Sequence, residues 1–207
     1  MNKHKKELVT VGVPIETADK ILIMTHGRGA TATDILSVAQ YLNVKDFAII
    51  APQATNYTWY PYSFLVPRQQ NEPWLSSAIE LLDEIVKDLE KAGKISSQIY
   101  FSGFSQGACL AVEYATRRAR QWGGVAAFTG GLIGDTLKEN EYEGNFGGTP
   151  VFLGSADPDP HVPVERVNDT ARIMTRMNAS VTKVIYPNMG HTISGDEISK
   201  ANELIFP

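Results

Sequence analysis

Gly103-Phe104-Ser105-Gln106-Gly107 places a serine between two glycines, where a short apolar run, Ile99 to Phe101, gives way to a helix-like segment from Ala108 through Tyr114. A serine hydroxyl is a weak nucleophile. A sharp strand-to-helix turn makes it useful by exposing its oxygen to a base and to a backbone N–H at the helix start. The two glycines leave room for the turn and for the close strand–helix crossing it forces. Partners for such a serine lie downstream. Asp157 and Asp159 follow the apolar run Val151 to Leu153, and Gly190-His191 follows Val181 to Tyr186. Serine, then acid, then histidine is the chain order of acyl-transfer sites built on parallel sheets. Both aspartates precede a proline, which pushes each toward extended backbone, so local conformation leaves the choice of acid open.

The elements that must position these groups alternate. Seven β-like runs are legible: Leu8 to Gly12, Ile21 to Met24, Phe47 to Ile50, Ile99 to Phe101, Val125 to Phe128, Val151 to Leu153 and Val181 to Tyr186. Ile79, Leu82, Val86 and Leu89 fall at helical spacing and are closed by Gly93; Val164, Val167, Ala171 and Met174 repeat the pattern. Ser194 with Glu197 forms a capping-box pattern before a last helix carrying Ile198 and Leu204. This alternation predicts an α/β fold, a mostly parallel central sheet with helices on both faces. With 207 residues and 43% apolar content, one domain over 1–207 is expected.

Composition narrows the partners. A net charge of −4 argues against nucleic acid and against an anionic membrane surface. No window approaches the roughly 20 apolar residues of a membrane span, so no integral membrane segment is expected. Lys3, Lys5 and Lys6 are not followed by the apolar core of a secretion signal. The single Cys109 excludes an intramolecular disulfide and a cysteine zinc site; it suits a reducing, cytoplasmic setting and reads as small core filler beside the elbow. No metal-ligand cluster stands out, and no metal or cofactor is called for. The expected partner is a small molecule, with the chain acting as monomer or homodimer.

Ligands of open α/β sheets sit beyond the carboxyl ends of the strands. There His26-Gly27-Arg28-Gly29 offers backbone N–H groups to an oxyanion, with His26 shaping the loop. The stretch 52–73, from Pro52 to Pro73, is too long for an ordinary connection, and such loops are usually functional. Its Trp59, Tyr60, Tyr62 and Phe64 are read as lining a substrate pocket beside Ser105, with Arg68, Gln69 and Gln70 on the polar rim, the alternative being a plain cover packed on the domain edge. His4 is read as exposed in a polar N-terminus. His161 lies too close in sequence to the acids to serve with them. Gly27 to Ala32 also satisfies the G-x-G-x-x-A dinucleotide pattern. That reading wants an acid at the end of the next strand, and Phe47 to Ile50 ends instead in Ala51-Pro52.

Taken together, the strand followed by His26-Gly27-Arg28-Gly29, the elbow Gly103 to Ala108, the segment Pro150 to Pro163, and Met189-Gly190-His191 resemble the phospholipase/carboxylesterase family of α/β-hydrolases, the group of the acyl-protein thioesterases. The resemblance covers nearly the whole chain and implies the α/β-hydrolase fold with ester or thioester hydrolysis. Carried over by position, it makes Ser105 the nucleophile and His191 the general base. It favours Asp159 over Asp157, because Pro150 to Pro163 fits the family's length up to Asp159-Pro160-His161-Val162-Pro163; the unused aspartate would then fix the loop by an Asx-type bond. The family's oxyanion amides match Arg28 and Gln106. Family members often carry an apolar residue where Arg28 stands, so its side chain is open to two readings: reaching a substrate carboxylate or carbonyl, or lying in solvent. The competing functional class is an α/β-hydrolase scaffold that binds a ligand without turning it over.

Overall fold

The computed structural model describes residues 3–206. Seven strands form one sheet: β1 (Leu8–Gly12), β2 (Lys20–Thr25), β3 (Phe47–Pro52), β4 (Ile99–Phe104), β5 (Gly124–Phe128), β6 (Pro150–Asp157) and β7 (Ser180–Pro187), in the order β1-β3-β2-β4-β5-β6-β7. Only β1 runs antiparallel, against β3; the other pairings are parallel. Among the described residues five α-helices complete the architecture: α1 (Ala32–Ala39), α2 (Trp74–Lys91), α3 (Gln106–Arg117), α4 (Val164–Arg176) and α5 (Gly195–Leu204).

Side chains of a strand alternate between faces, and here they feed two apolar layers. Ile21, Ile23, Phe101, Val125 and Leu153 pack with α2, α3 and α4. Leu22, Met24, Ile49, Phe128 and Phe152 pack with residues of α1 and α5. The central strands are buried on both sides, which is why they read as continuous apolar runs. The helix ends follow the sequence chemistry. Ser194 caps α5 with Glu197 returning the bond, and Gly93 takes a φ of 86° just beyond α2. Helix α1 leaves little trace in the sequence pattern, because it is only eight residues long and buries only Ala32 and Ile35. It opens on a capping box made with Asp34 in place of the usual glutamate.

One buried cluster lies away from the carboxyl ends of the central strands. Glu113 of α3 is fully buried and paired with Arg117 Nε at 2.7 Å and Arg68 Nη2 at 3.7 Å. The Tyr142 hydroxyl and the Ile133 N–H also donate to it, at 3.0 and 2.9 Å. A buried carboxylate is tolerated when its lone pairs are filled in this way.

Candidate active site

Parallel register brings the ends of β2, β4 and β5 level, with Thr25 beside Gly103 and Phe104 beside Phe128. The chain then turns at Ser105, which has φ 55° and ψ −120° and caps α3. Such a backbone is costly for a residue with a Cβ and is held by its surroundings. The Ser105 N–H donates to Phe128 O at 3.0 Å, and its carbonyl accepts from Cys109 at 3.0 Å. Gly107 is required by proximity rather than by φ, since a Cβ there would overlap the carbonyl oxygen of Thr25. At Gly103 the same atom would lie 2.6 Å from Thr25 Oγ1. That hydroxyl donates to Gly107 O at 2.8 Å, fastening β2 to the helix start.

His191 reaches the serine from the loop between β7 and α5. Its Nε2 lies 2.9 Å from Ser105 Oγ, and its Nδ1 lies 2.8 Å from Asp159 Oδ2. With the carboxylate accepting at Nδ1, the neutral ring keeps its proton there and presents a lone pair to the hydroxyl. The ring packs against Phe104, with centroids 5.1 Å apart, and meets His161 nearly perpendicularly, with centroids 4.9 Å apart. The Asp159 side chain has no solvent exposure. Its Oδ1 accepts the N–H groups of His161 and Val162, each at 2.8 Å. Burial acts to raise its pKa, but these bonds and the imidazole outweigh it and hold the carboxyl below the usual range. Asp157 is exposed and stays out of this contact. The Asx-type bond expected of the unused aspartate is made by Asp159 itself, while Asp157 contributes its carbonyl to Asn188 N–H at 2.9 Å.

Across the serine, the N–H groups of Arg28 and Gln106 have no hydrogen-bond partner among the described residues. Both side chains are fastened to the aromatic loop instead. Gln106 Oε1 accepts from Trp59 N–H at 2.9 Å and from the Thr58 hydroxyl at 3.2 Å, and its Nε2 donates to Tyr60 O at 2.8 Å. Arg28 Nη1 donates to Thr58 Oγ1 and Pro61 O, both at 2.9 Å, and Nη2 donates to Tyr62 O at 2.7 Å. Arg28 is exposed but engaged, so neither reading of its side chain described this role. Thr58 touches both residues, and nothing in the sequence singles it out. His26 is buried; its Nδ1 donates to Gly27 O at 2.8 Å and its Nε2 accepts from Ala54 N–H at 3.1 Å. Burial pushes its pKa down, with the Gly27 bond opposing.

A cavity of about 770 Å³ opens onto Ser105, walled by Tyr60, Phe64, Leu65, Cys109 and Val162, with Tyr62 exposed at its rim. Burial pushes the Cys109 thiol up to about 12, so it meets the cavity as a neutral group. Trp59 does not line this space: it is fully buried behind it, its indole N–H donating to His26 O at 2.8 Å, because a large ring with one donor is best satisfied inside. Arg68, Gln69 and Gln70 are not at the rim either. Arg68 turns to the Glu113 cluster and donates to Ile133 O at 2.8 Å. His4, read as exposed, is half-buried against Trp59 and Trp74, between Trp59 O at 3.0 Å and Thr55 N–H at 3.1 Å. His161, set aside on sequence distance, lines the cavity. Among the described residues no group of His, Cys, Asp and Glu is arranged to hold a metal ion, and no helix is long and apolar enough to cross a membrane.

Known proteins share this arrangement of elements. The family described as Phospholipase/Carboxylesterase matches residues 6–206. A solved phospholipase/carboxylesterase from Dyadobacter fermentans DSM 18053 is 53% identical, with a TM-score of 0.98 over 100% of this chain and 99% of that one. Acyl-protein thioesterase 1 of Saccharomyces cerevisiae is 26% identical over 91% of this chain and 92% of its own length. Esterase PE8, at 23% identity and a TM-score of 0.78 over 97% of both chains, shares the fold. The chain belongs to the phospholipase/carboxylesterase family, and it is a hydrolase with the α/β-hydrolase fold.

Proposed function

We propose that this protein is a serine hydrolase that cleaves a carboxylic ester or thioester through an acyl-enzyme on Ser105. One observation carries the reading: His191 stands between Ser105 Oγ and Asp159 Oδ2 within hydrogen-bond distance of both, on a serine held at φ 55° over a cavity. In the first step Ser105 Oγ attacks the substrate carbonyl while His191 Nε2 takes its proton. Asp159 keeps the ring in the required tautomer and stabilises the imidazolium. The carbonyl oxygen becomes an oxyanion facing the N–H groups of Arg28 and Gln106. Donors of this type are worth about 3 kcal/mol each in the transition state. Collapse breaks the bond to the leaving oxygen or sulfur, which receives the proton from His191. Water, activated by the same imidazole, then releases the acid.

The apolar wall of Tyr60, Phe64, Leu65 and Val162 favours a small substrate with an apolar or aromatic body. All the groups invoked belong to one chain, so the mechanism works in a monomer or in each half of a homodimer. The lone buried thiol is compatible with the reducing cytoplasm. The test is hydrolysis of a short-to-medium chain p-nitrophenyl ester series by wild type and Ser105→Ala, with no metal or cofactor added. The expected result is turnover in the wild type and a loss of at least about a thousandfold in the variant. A folded wild type that hydrolyses none of the series, or a variant as active as its parent, would overturn the reading.

A further inference from the structure

Among the described residues, the wall of the cavity over Ser105 carries a single formal charge, the Arg28 guanidinium, and no aspartate or glutamate lines it, although the chain as a whole is net −4. Beside it stand the imidazoles of His161 and His191, the phenols of Tyr60 and Tyr62 and the neutral Cys109 thiol, and Asp159 lies behind His191 with both oxygens occupied. Arg28 is fastened by a hydroxyl and two carbonyls, all of them neutral, so its bonds fix the side chain without cancelling its charge. Nη1 spends both of its hydrogens on Thr58 and Pro61, and Nη2 spends one on Tyr62. The Nε–H and one Nη2 hydrogen are left without a partner among the described residues. Two donors on one planar cation suit a carboxylate. Preorganisation adds to this, because a guanidinium already immobilised loses little further freedom on binding an anion.

We propose that Arg28 is a specificity determinant, and that the enzyme selects esters or thioesters whose apolar body also carries a carboxylate. The proposal rests on the reading of Ser105 as the nucleophile of an ester hydrolase and names the substrate class for that site. The reacting carbonyl sits at the Arg28 and Gln106 amides, the apolar segment lies along Tyr60, Phe64 and Leu65, and the anionic end meets the guanidinium. A carboxylate on either side of the scissile bond satisfies this chemistry, so both placements belong in the test.

The experiment measures kcat/KM for two matched pairs: phenyl hemiadipate against its primary amide, and 4-carboxyphenyl butyrate against 4-carbamoylphenyl butyrate. In the wild type at low salt, at least one pair is expected to favour the anion by about tenfold, with the preference shrinking as ionic strength rises. Arg28→Gln loosens the aromatic loop and slows every substrate, but the anion-to-amide ratio cancels that common loss. The ratio is expected to fall to about one. Arg28→Lys, which keeps the charge, retains part of it. A wild-type ratio at or below one in both pairs, or a ratio unchanged in Arg28→Gln, would overturn the proposal while leaving the serine hydrolase intact. Failure of the underlying reading is separately visible: none of the four esters would then be hydrolysed, or all would be hydrolysed equally by Ser105→Ala.

Discussion

Asp159 and Glu113 are both carboxylates withdrawn from solvent, and they are satisfied in opposite ways. Glu113 faces two arginines, a tyrosine hydroxyl and a backbone N–H, donors that keep their protons throughout the ordinary pH range. Asp159 has two backbone N–H groups and one imidazole, a ring that can gain and lose a proton at its far nitrogen. The first arrangement ties α3 to the segment around Ile133 and Tyr142 and can do nothing else. The second leaves one partner free to change charge, which is what a general base requires. A buried acid therefore marks a candidate site only when one of its partners is itself titratable and faces open space. His191, with a cavity in front of it, meets both conditions.

The comparison breaks most visibly at Asp159. Asp159→Asn is expected to lower kcat by about ten-thousand-fold with little change in melting temperature, because the amide favours the wrong imidazole tautomer while keeping the side chain's shape. Asp157→Asn should stay within about twofold of wild type. Parallel steady-state kinetics check both, and a larger loss at Asp157 would reverse the assignment.

Glu113→Gln should invert that pattern. Replacing the charge leaves Arg117 without its counter-ion and Arg68 with only the part-exposed Glu141, and since these side chains are 25% and 20% exposed, water recovers part of the loss. A destabilisation of about 2 kcal/mol is expected, with kcat/KM of the folded fraction within a few-fold of wild type. Urea denaturation alongside activity distinguishes this from a catalytic effect.

The smallest effect concerns His26, whose pKa burial depresses, as it does that of His4 beneath the same loop. A depressed value means that the unfolded chain takes up the proton first. The contribution is then complete above about pH 6.5 and is lost as pH falls through the depressed folded value. Asp159, also depressed, adds a loss of the same sign further down, beginning near the ordinary carboxylate range. The melting temperature should decline from pH 7 toward pH 5, and less steeply in His26→Asn. A rise on acidification would contradict the sign.

What could be read in advance follows from where information is local. The central strands stand out because buried parallel strands are near-continuous apolar runs, β1 stands out by its Val9-Thr10-Val11 run although it is exposed and antiparallel, and the elbow stands out because two close backbone approaches demand Gly103 and Gly107. Ser194 and Glu197 lie three residues apart and find each other within one turn. Long-range choices were not legible. Asp157 and Asp159 share the same local grammar and are separated only by which one faces His191, 32 residues away. Trp59 looked like pocket lining because irregular segments carry no periodicity from which to infer a buried face. Thr58 was invisible, since a threonine in a loop gains its role only from the two side chains that converge on it.

That convergence has a practical side. Arg28 and Gln106 each leave a backbone N–H without a partner among the described residues and anchor a side chain on residues 58–62. The loop that shapes the binding space is thus bolted to the groups proposed to hold the oxyanion. Engineering that treats selectivity and turnover as separate dials will find them on one shaft here. Loop grafts from relatives should be exchanged together with the residues at positions 28, 58 and 106, as a single cassette.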